Sequence, residues 1–361
     1  MPDLHDLRLA DYAPRPSVAI PGTHVARPRH RCVDAHNHLG RWLTEDGGWM
    51  APDVGRLLAL MDEHDVDAIV NLDGMWGAEL SANLDRYDRA HPGRFLTFCQ
   101  LDWDLLRERD GVERLVRSLK DSHSRGARGL KVWKTLGLKY TGPDGRLVLP
   151  DDPRLVPVFA AAGDLGLPVL IHTADPVAFF APADRHNERL KELLANPDWQ
   201  FARDGLPTFA RLMDALENLV ASCPDTTFIG AHVGCFAEDL RWVSRMLDDH
   251  PNFHIDIAGR LAELGRRPRA ARELLMRHSD RVLFGTDAFP LSASAYRTHF
   301  RFLETADEHF PYAPDEEVPP QGRWAISALA LPAGVLAKVY AGNARRLLRT
   351  GSDGAVLDPG K

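Results

Sequence analysis

From residue 31 onward, short apolar runs alternate with longer amphipathic segments. The runs are RCVDAHNH (31–38), DAIVNLDG (67–74), RFLTFCQLD (94–102), ARGLKVWK (127–134), PVLIHTAD (168–175), TTFIGAHV (226–233), FHIDIAG (253–259) and RVLFGTDA (281–288). Runs of this length and bounding predict strands with both faces buried. The segments between them carry helical spacing. In VGRLLALMDEH (54–64), Leu57, Leu58, Met61 and His64 share one stripe. In FAEDLRWVSRMLDDH (236–250), Phe236, Leu240, Val243, Met246 and Leu247 do the same. Strands alternating with helices in this way predict either a closed (β/α)8 barrel or a large open parallel sheet.

Polar residues decide between the two. His36, His38, Asp73, Asp102, Lys131, His172, His232, Asp256 and Asp287 all fall near the C-terminal ends of the runs. Active sites of (β/α)8 barrels lie at that face, drawing on many strands. An open doubly wound sheet would use two or three strands at one switch point. No G-x-G-x-x-G or phosphate-cradling loop supports a nucleotide-binding sheet. The expected fold is therefore a TIM barrel over residues 31–350.

Several stretches fall outside the alternation. Residues 1–30 lack periodicity and contain Pro14, Pro16, Pro21 and Pro28, which predicts an irregular arm on the barrel or on a neighbouring subunit. Residues 136–152 predict a turn or hairpin around Pro143, Asp144 and Gly145. Residues 176–206, after strand five, carry Phe179, Phe180, Trp199 and Phe201 and read as a lid-like insertion or as a peripheral flap. Residues 289–330 read as a looser helical region with a Pro-rich break. Residues 333–348 read as two short helices split near Gly342, and 351–361 as a disordered tail.

Composition narrows the function classes. The 361 residues are 44% hydrophobic and carry a net charge of −7, which argues against a nucleic-acid partner. Cys32, Cys99, Cys223 and Cys235 form no C-x-x-C pair, so a disulfide framework is not expected. The opening MPDLHDLRLADYAPRP has acids and prolines where a signal peptide needs a basic end and an apolar run. No apolar stretch approaches the roughly 18 residues of a membrane helix. These features suggest a cytoplasmic location and no membrane partner.

On a regular strand, residues two apart point the same way, so Asp34, His36 and His38 are expected on one face. Taken alone, an H-x-H is weak evidence, because about one is expected by chance among 16 histidines. Two hydrogen-bonded core histidines are the plainer reading of a lone pair. His172, His232 and Asp287 at three other strand ends shift the balance, because strand ends converge at a barrel mouth. Imidazoles with one carboxylate suit zinc, iron or manganese rather than magnesium or calcium.

The segments DAHNH, IHTAD, GAHVG and FGTDAFP, followed by KVYAGNARRLL, resemble the amidohydrolase superfamily. The similarity is to the amidohydrolase-related group that includes aminocarboxymuconate-semialdehyde decarboxylase, and it covers about residues 31–350. The resemblance implies one divalent metal, Zn2+ first and Mn2+ or Fe2+ as alternatives, held by His36, His38, His172 and Asp287. It places His232 beside the metal, polarising substrate or water, and gives Asp287 a second role as proton shuttle. A hydrogen-bonding support role is the other reading of His232.

Lys131 departs from a simple single-metal picture. It could be carboxylated and bridge two metals, bind a substrate carboxylate, or pair structurally with Asp73 or Asp102. The last two readings rank ahead of the bridge. Trp76, Trp133, Arg41 and Arg260 follow strand ends and could line the pocket, with surface exposure as the alternative for each. Arg260 offers a planar fork suited to a carboxylate. Asp256 could orient a neighbour, and Asp34 is expected one layer below the metal.

The first functional expectation is a metal-dependent hydrolase of a small-molecule amide, ester or lactone using metal-activated water. The second is a non-oxidative decarboxylase of an unsaturated or aromatic carboxylic acid. Some decarboxylating relatives alter the first-strand motif, and this chain keeps both histidines, which places hydrolysis slightly ahead. A non-catalytic barrel is the third reading. The arm and the family habit suggest a homodimer.

Overall fold

A computed structural model describes residues 22–348 continuously, with 4–8, 11, 12, 14 and 17–19 before them. Every expected run supplies a strand, each shorter than its apolar run, with β2 starting one residue before it. They are β1 (Cys32–Asn37), β2 (Val66–Asn71), β3 (Phe95–Thr97), β4 (Leu130–Val132), β5 (Val169–Ile171), β6 (Phe228–Gly230), β7 (Phe253–Asp256) and β8 (Val282–Leu283). All paired neighbours are parallel, in the orders β1-β2-β3 and β4 through β8.

Single hydrogen bonds join these two sets into a ring. Between β3 and β4, Cys99 N donates to Gly129 O at 2.9 Å and Lys131 N to Cys99 O at 2.8 Å. Between β8 and β1, Ala35 N donates to Phe284 O and Asp287 N to His36 O, both at 2.9 Å. The molecule is a (β/α)8 barrel, as the alternation predicts.

Two apolar layers follow from the two-residue period. Ala68, Val70, Leu72, Leu96, Phe98, Leu170, Ile229 and Leu283 form the barrel interior. Ile69, Phe95, Leu130, Val132, Val169, Ile171, Phe253 and Phe284 belong to the larger cluster packed with the surrounding helices. Burying a side chain of this size contributes roughly 1.5–3 kcal/mol.

On β1 the simple alternation fails. Val33 and Ala35 join the interior cluster, and the pairing register shifts between Asp34 and Asn37. Asp34 is not stacked beneath His36 on a shared face. Its carboxylate accepts from Thr286 N (3.0 Å), Thr286 Oγ1 (2.7 Å) and Tyr296 OH (3.3 Å), the last on the helix Ala293–Glu304. The irregularity lets the chain turn His36 and His38 towards the mouth.

The helix Val54–Glu63 buries Leu57 and Met61 and is capped by Asp53. The second amphipathic segment starts later than its apolar stripe. Asp239 accepts from Arg241 N and Trp242 N and sets the start of the helix Leu240–Asp249. The hairpin forms as expected, with Thr141 bridging Leu147 and Gly145 at φ +75°. Residues 333–348 are one continuous helical run rather than two helices. A wider turn at Lys338–Gly342 absorbs the glycine.

Residues near the end of the arm lie on the barrel, with Thr23 Oγ1 donating to Asp307 Oδ1 at 2.8 Å and Arg29 N to Glu304 Oε1 at 2.8 Å. In the insertion, Phe179, Leu193 and Phe201 form a small cluster of their own. Buried Arg189 pairs with Glu192 at 2.7 Å and with Glu263, which ties the insertion to the segment after β7. The segment 351–361 lies outside the described residues.

Candidate metal centre

The C-terminal strand ends bring most of the expected residues together. Nitrogen and oxygen donors of His36, His232 and Asp287 all lie within 4.8 Å of one another. Asp287 Oδ1 is 3.6 Å from His36 Nε2 and 3.4 Å from His38 Nε2, and its Oδ2 is 3.9 Å from His232 Nε2. The imidazole of His172 stands 4.5 Å from that of His232, ring centre to ring centre. Its Nε2, however, faces Asp175 Oδ1 at 3.2 Å rather than Asp287. Asp175 in turn pairs with Lys134.

Buried carboxylates fix the orientation of three rings or turns. Asp256 Oδ2 accepts from His36 Nδ1 at 2.8 Å, and its Oδ1 accepts from His232 N at 2.8 Å. Asp73 accepts from His38 Nδ1 (2.7 Å), Gly40 N (3.0 Å) and Trp42 Nε1 (2.6 Å). His232 Nδ1 donates to Ala258 O at 2.8 Å. Each bond occupies Nδ1 and leaves Nε2 for the centre, the arrangement expected of metal-binding histidines.

The backbone is strained where these side chains enter. His232, Val233 and Cys235 have φ of 57°, 62° and 61°, with Gly234 at 68° between them. A left-handed turn costs about 1–2 kcal/mol for each non-glycine residue. Asp256, a Cys235 N–H donated to Ala231 O at 2.7 Å, and Thr173 N donated to Cys235 Sγ at 3.3 Å hold it. Asp287 is also left-handed, at φ 53°. Strain of this kind concentrates at functional sites.

Electrostatics prepare the donors. Burial lowers His36, with the Lys131 charge adding to it, and takes His172 down to about 4. Burial also pushes His232 well below its ordinary value, with His172 and Arg260 next in effect. Burial opposes ionisation of Asp287, but His36, His38 and Lys131 outweigh it and hold the carboxyl below its usual range. His38 is the exception: burial is overcome by Asp73 and Asp287, which raise it to about 9. A cation at Nε2 would displace that proton.

Buried polar atoms without partners mark the same region. They include Asp287 Oδ1, His172 Nδ1, Thr173 Oγ1 and Trp133 Nε1. Such atoms are costly unless something satisfies them. Neutral imidazoles with an ionised carboxylate fit a borderline-soft divalent cation.

Lys131 is fully buried, with Nζ 3.4 Å from His36 Nε2 and 4.9 Å from the centre of the Trp133 ring. No carboxylate lies within ion-pair distance of it among the described residues. It pairs with neither Asp73 nor Asp102, and Asp102 instead caps a short helical turn. Trp133 packs 5.2 Å from His38 and 4.7 Å from Trp42, and Phe289 lies 5.4 Å from His38. Arg260 is buried in the segment after β7. Trp76 precedes the helix Gly77–Leu84 and makes no ring contact with this group among the described residues. Arg41 pairs with Glu79 and stands over Trp49.

Sequence reasoning missed Trp42, Phe289, Lys134 and Asp175. Asp175 is visible in hindsight as the last residue of the IHTAD motif, three positions after His172. Trp42 carries no signal, because a loop brings it to Asp73.

A family model described as amidohydrolase matches residues 33–350. Among curated proteins no match is found. Solved structures share the fold. An uncharacterized TIM-barrel protein from Bordetella bronchiseptica is 14% identical with a TM-score of 0.55, covering 88% of this chain and 98% of that one. A 2,6-dihydroxybenzoate decarboxylase from Rhizobium is 17% identical with a TM-score of 0.53, covering 88% and 98%. A dihydroxybenzoic acid decarboxylase from Polaromonas, with bound manganese and 2-nitroresorcinol, is 15% identical with a TM-score of 0.53, covering 88% and 96%. No helix among the described residues is long and apolar enough to cross a membrane.

Proposed function

Because the chain belongs to the amidohydrolase family, we propose that it is a metal-dependent decarboxylase of a planar, unsaturated or aromatic carboxylic acid. One observation carries this reading. Lys131 is a fully buried cation beside His36, without a carboxylate partner among the described residues. Its pKa is pulled down to about 8 by burial, so it remains largely an ammonium at neutral pH. Asp287, Asp256 and Asp73 favour its charge from a distance, and a substrate carboxylate would add the direct ion pair. Trp133, Trp42 and Phe289 add flat apolar walls, and offset aromatic contacts suit a planar ring. The aromatic acids in the names of the Rhizobium and Polaromonas proteins support a planar acid as the substrate class.

His36, His38 and Asp287 would hold the cation, with His172 as the fourth ligand that the resemblance implies and His232 alongside. Zn2+ heads the order, and the manganese of the Polaromonas protein supports Mn2+ as well. When bound, such a cation supplies Lewis acidity, polarising oxygen groups and lowering the pKa of water. The protein groups do the rest. Lys131 orients the carboxylate. Asp287 would take a proton from solvent and deliver it to the carbon bearing the carboxylate. The carbon–carboxylate bond then breaks, its electron pair restores the unsaturated system, and carbon dioxide leaves. The product carries the delivered proton where the carboxylate was.

Hydrolysis of an amide, ester or lactone is the second reading. It is favoured by the intact H-x-H pair facing Asp287, a set equally suited to activating water. The metal-loaded enzyme offered aromatic acids, lactones and amides separates the two. Carbon dioxide release from an acid is expected. Turnover of a lactone or amide, with no acid releasing carbon dioxide, would reverse the order.

A further inference from the structure

His172 is held the opposite way round from the other rings of the centre. His36, His38 and His232 each engage a partner through Nδ1. His172 instead turns Nε2 to Asp175 Oδ1, 3.2 Å away. Its Nδ1 is buried and has no hydrogen-bond partner. A ring engaged at one nitrogen offers the lone pair of the other, so Nδ1 is the atom that His172 can present to a cation.

The carboxylate that holds this ring is itself anchored from outside the barrel. Asp256 reaches His36 from within β7, whereas Asp175 lies in the loop after β5. Asp175 keeps only 5% of its surface, and a carboxylate buried so deeply needs a cation. Lys134 pairs with its Oδ2, which leaves Oδ1 for the ring. Lys134 is seated in turn by the insertion after β5. Its Nζ lies 5.6 Å from the ring centre of Trp199 and 5.8 Å from that of Phe201, within the range of cation–π attraction. Phe201 packs with Phe179 and Leu193 in the insertion's own cluster. Contacts therefore run without a break from the insertion through Lys134 and Asp175 to a ring of the centre.

We infer that Asp175 and Lys134 are positioning residues for the metal, fixing the ring of His172 for coordination, and that the insertion belongs to the metal site by seating Lys134. The inference rests on His172 being a ligand and is independent of the reaction catalysed.

Zinc affinity, measured by competition with a chromophoric chelator, tests this without turnover. Asp175→Ala should weaken binding roughly 10–100-fold. Lys134→Met should also weaken it, and Lys134→Arg, which keeps the charge, should recover part of the loss. Added to Asp175→Ala, Lys134→Met should cause no further loss, because the lysine acts through that carboxylate. Trp199 is partly exposed, so Trp199→Leu spares the insertion's core and should cost about 2–5-fold. Circular dichroism shows whether each variant is folded. If Asp175→Ala is not, Lys134→Met against Lys134→Arg carries the test alone, and native affinity in Lys134→Met overturns the inference.

Native affinity in a folded Asp175→Ala would overturn it too. So would tighter binding, which would make Asp175 a competitor of the metal for the ring. Equal losses from Lys134→Met in both backgrounds would deny the link between the two residues, and native affinity in Trp199→Leu would strike out the insertion. His172→Ala separates the underlying reading. Lost zinc there with native affinity in Asp175→Ala sinks the positioning role alone, whereas native affinity in His172→Ala removes the ligand assignment itself.

Discussion

Asp256 grips His36, its Oδ2 accepting from the imidazole Nδ1 at 2.8 Å. Its other oxygen accepts from the His232 backbone N–H. Both partners are donors, so an amide at this position must turn its NH2 against one of them. Asp256→Asn is expected to weaken metal binding roughly 10–100-fold. Competition with a chromophoric chelator measures it, and native affinity in the variant would remove the orienting role.

His172 and His232 separate by their effects on metal and on turnover. His172→Ala should lose the cation, whereas His232→Ala should keep it and lose activity. Metal content by mass spectrometry, near one equivalent per native chain, provides the readout. Two equivalents would instead point to a carboxylated Lys131 bridging a pair.

Asp287→Asn keeps the shape of the side chain and removes its capacity to carry a proton. Turnover should fall by roughly 100-fold or more while circular dichroism stays native. Residual activity near the native level would exclude Asp287 as the proton carrier.

Lys131 makes stability depend on pH in the metal-free protein. Its native pKa is about 8, against 10.5 for the free group, because burial penalises the ammonium. Between those values the unfolded chain binds more protons than the native one, so stability rises with pH there. Below pH 8 the full penalty persists, roughly 3 kcal/mol by the shift. Lys131→Met should therefore stabilise the metal-free protein at pH 7 and lose most of that advantage by pH 10.5. Urea unfolding at the two pH values measures the difference.

Much of the barrel was legible because a parallel strand writes itself as an apolar run, and its end as a polar residue. His36, His38, His232 and Asp287 were therefore visible at three strand ends before the fold was known. The register shift in β1 was not, because it depends on Thr286 and Tyr296 reaching Asp34 from the far end of the chain. The left-handed turn at His232 was equally hidden: no local propensity calls for Val233 at φ 62°, and distant bonds hold it there. The pairing of His172 with Asp175 depends on a side-chain orientation that spacing cannot choose. Helix continuity through Gly342 was lost for a similar reason. Glycine reads as a break, and the packing of Val339 and Tyr340 overrides it.

The hydrogen bond from Asp287 N to His36 O belongs to the seam where the first and last strands meet. Few ladder bonds guard that seam, since β8 has only two residues in regular pairing. A cation gripped by side chains from both sides of it acts as a clasp on a hoop. Its binding free energy, which grows with the logarithm of free metal above Kd, becomes resistance to the hoop springing open. The ion that equips the site for chemistry would thus also set how long the ring stays shut.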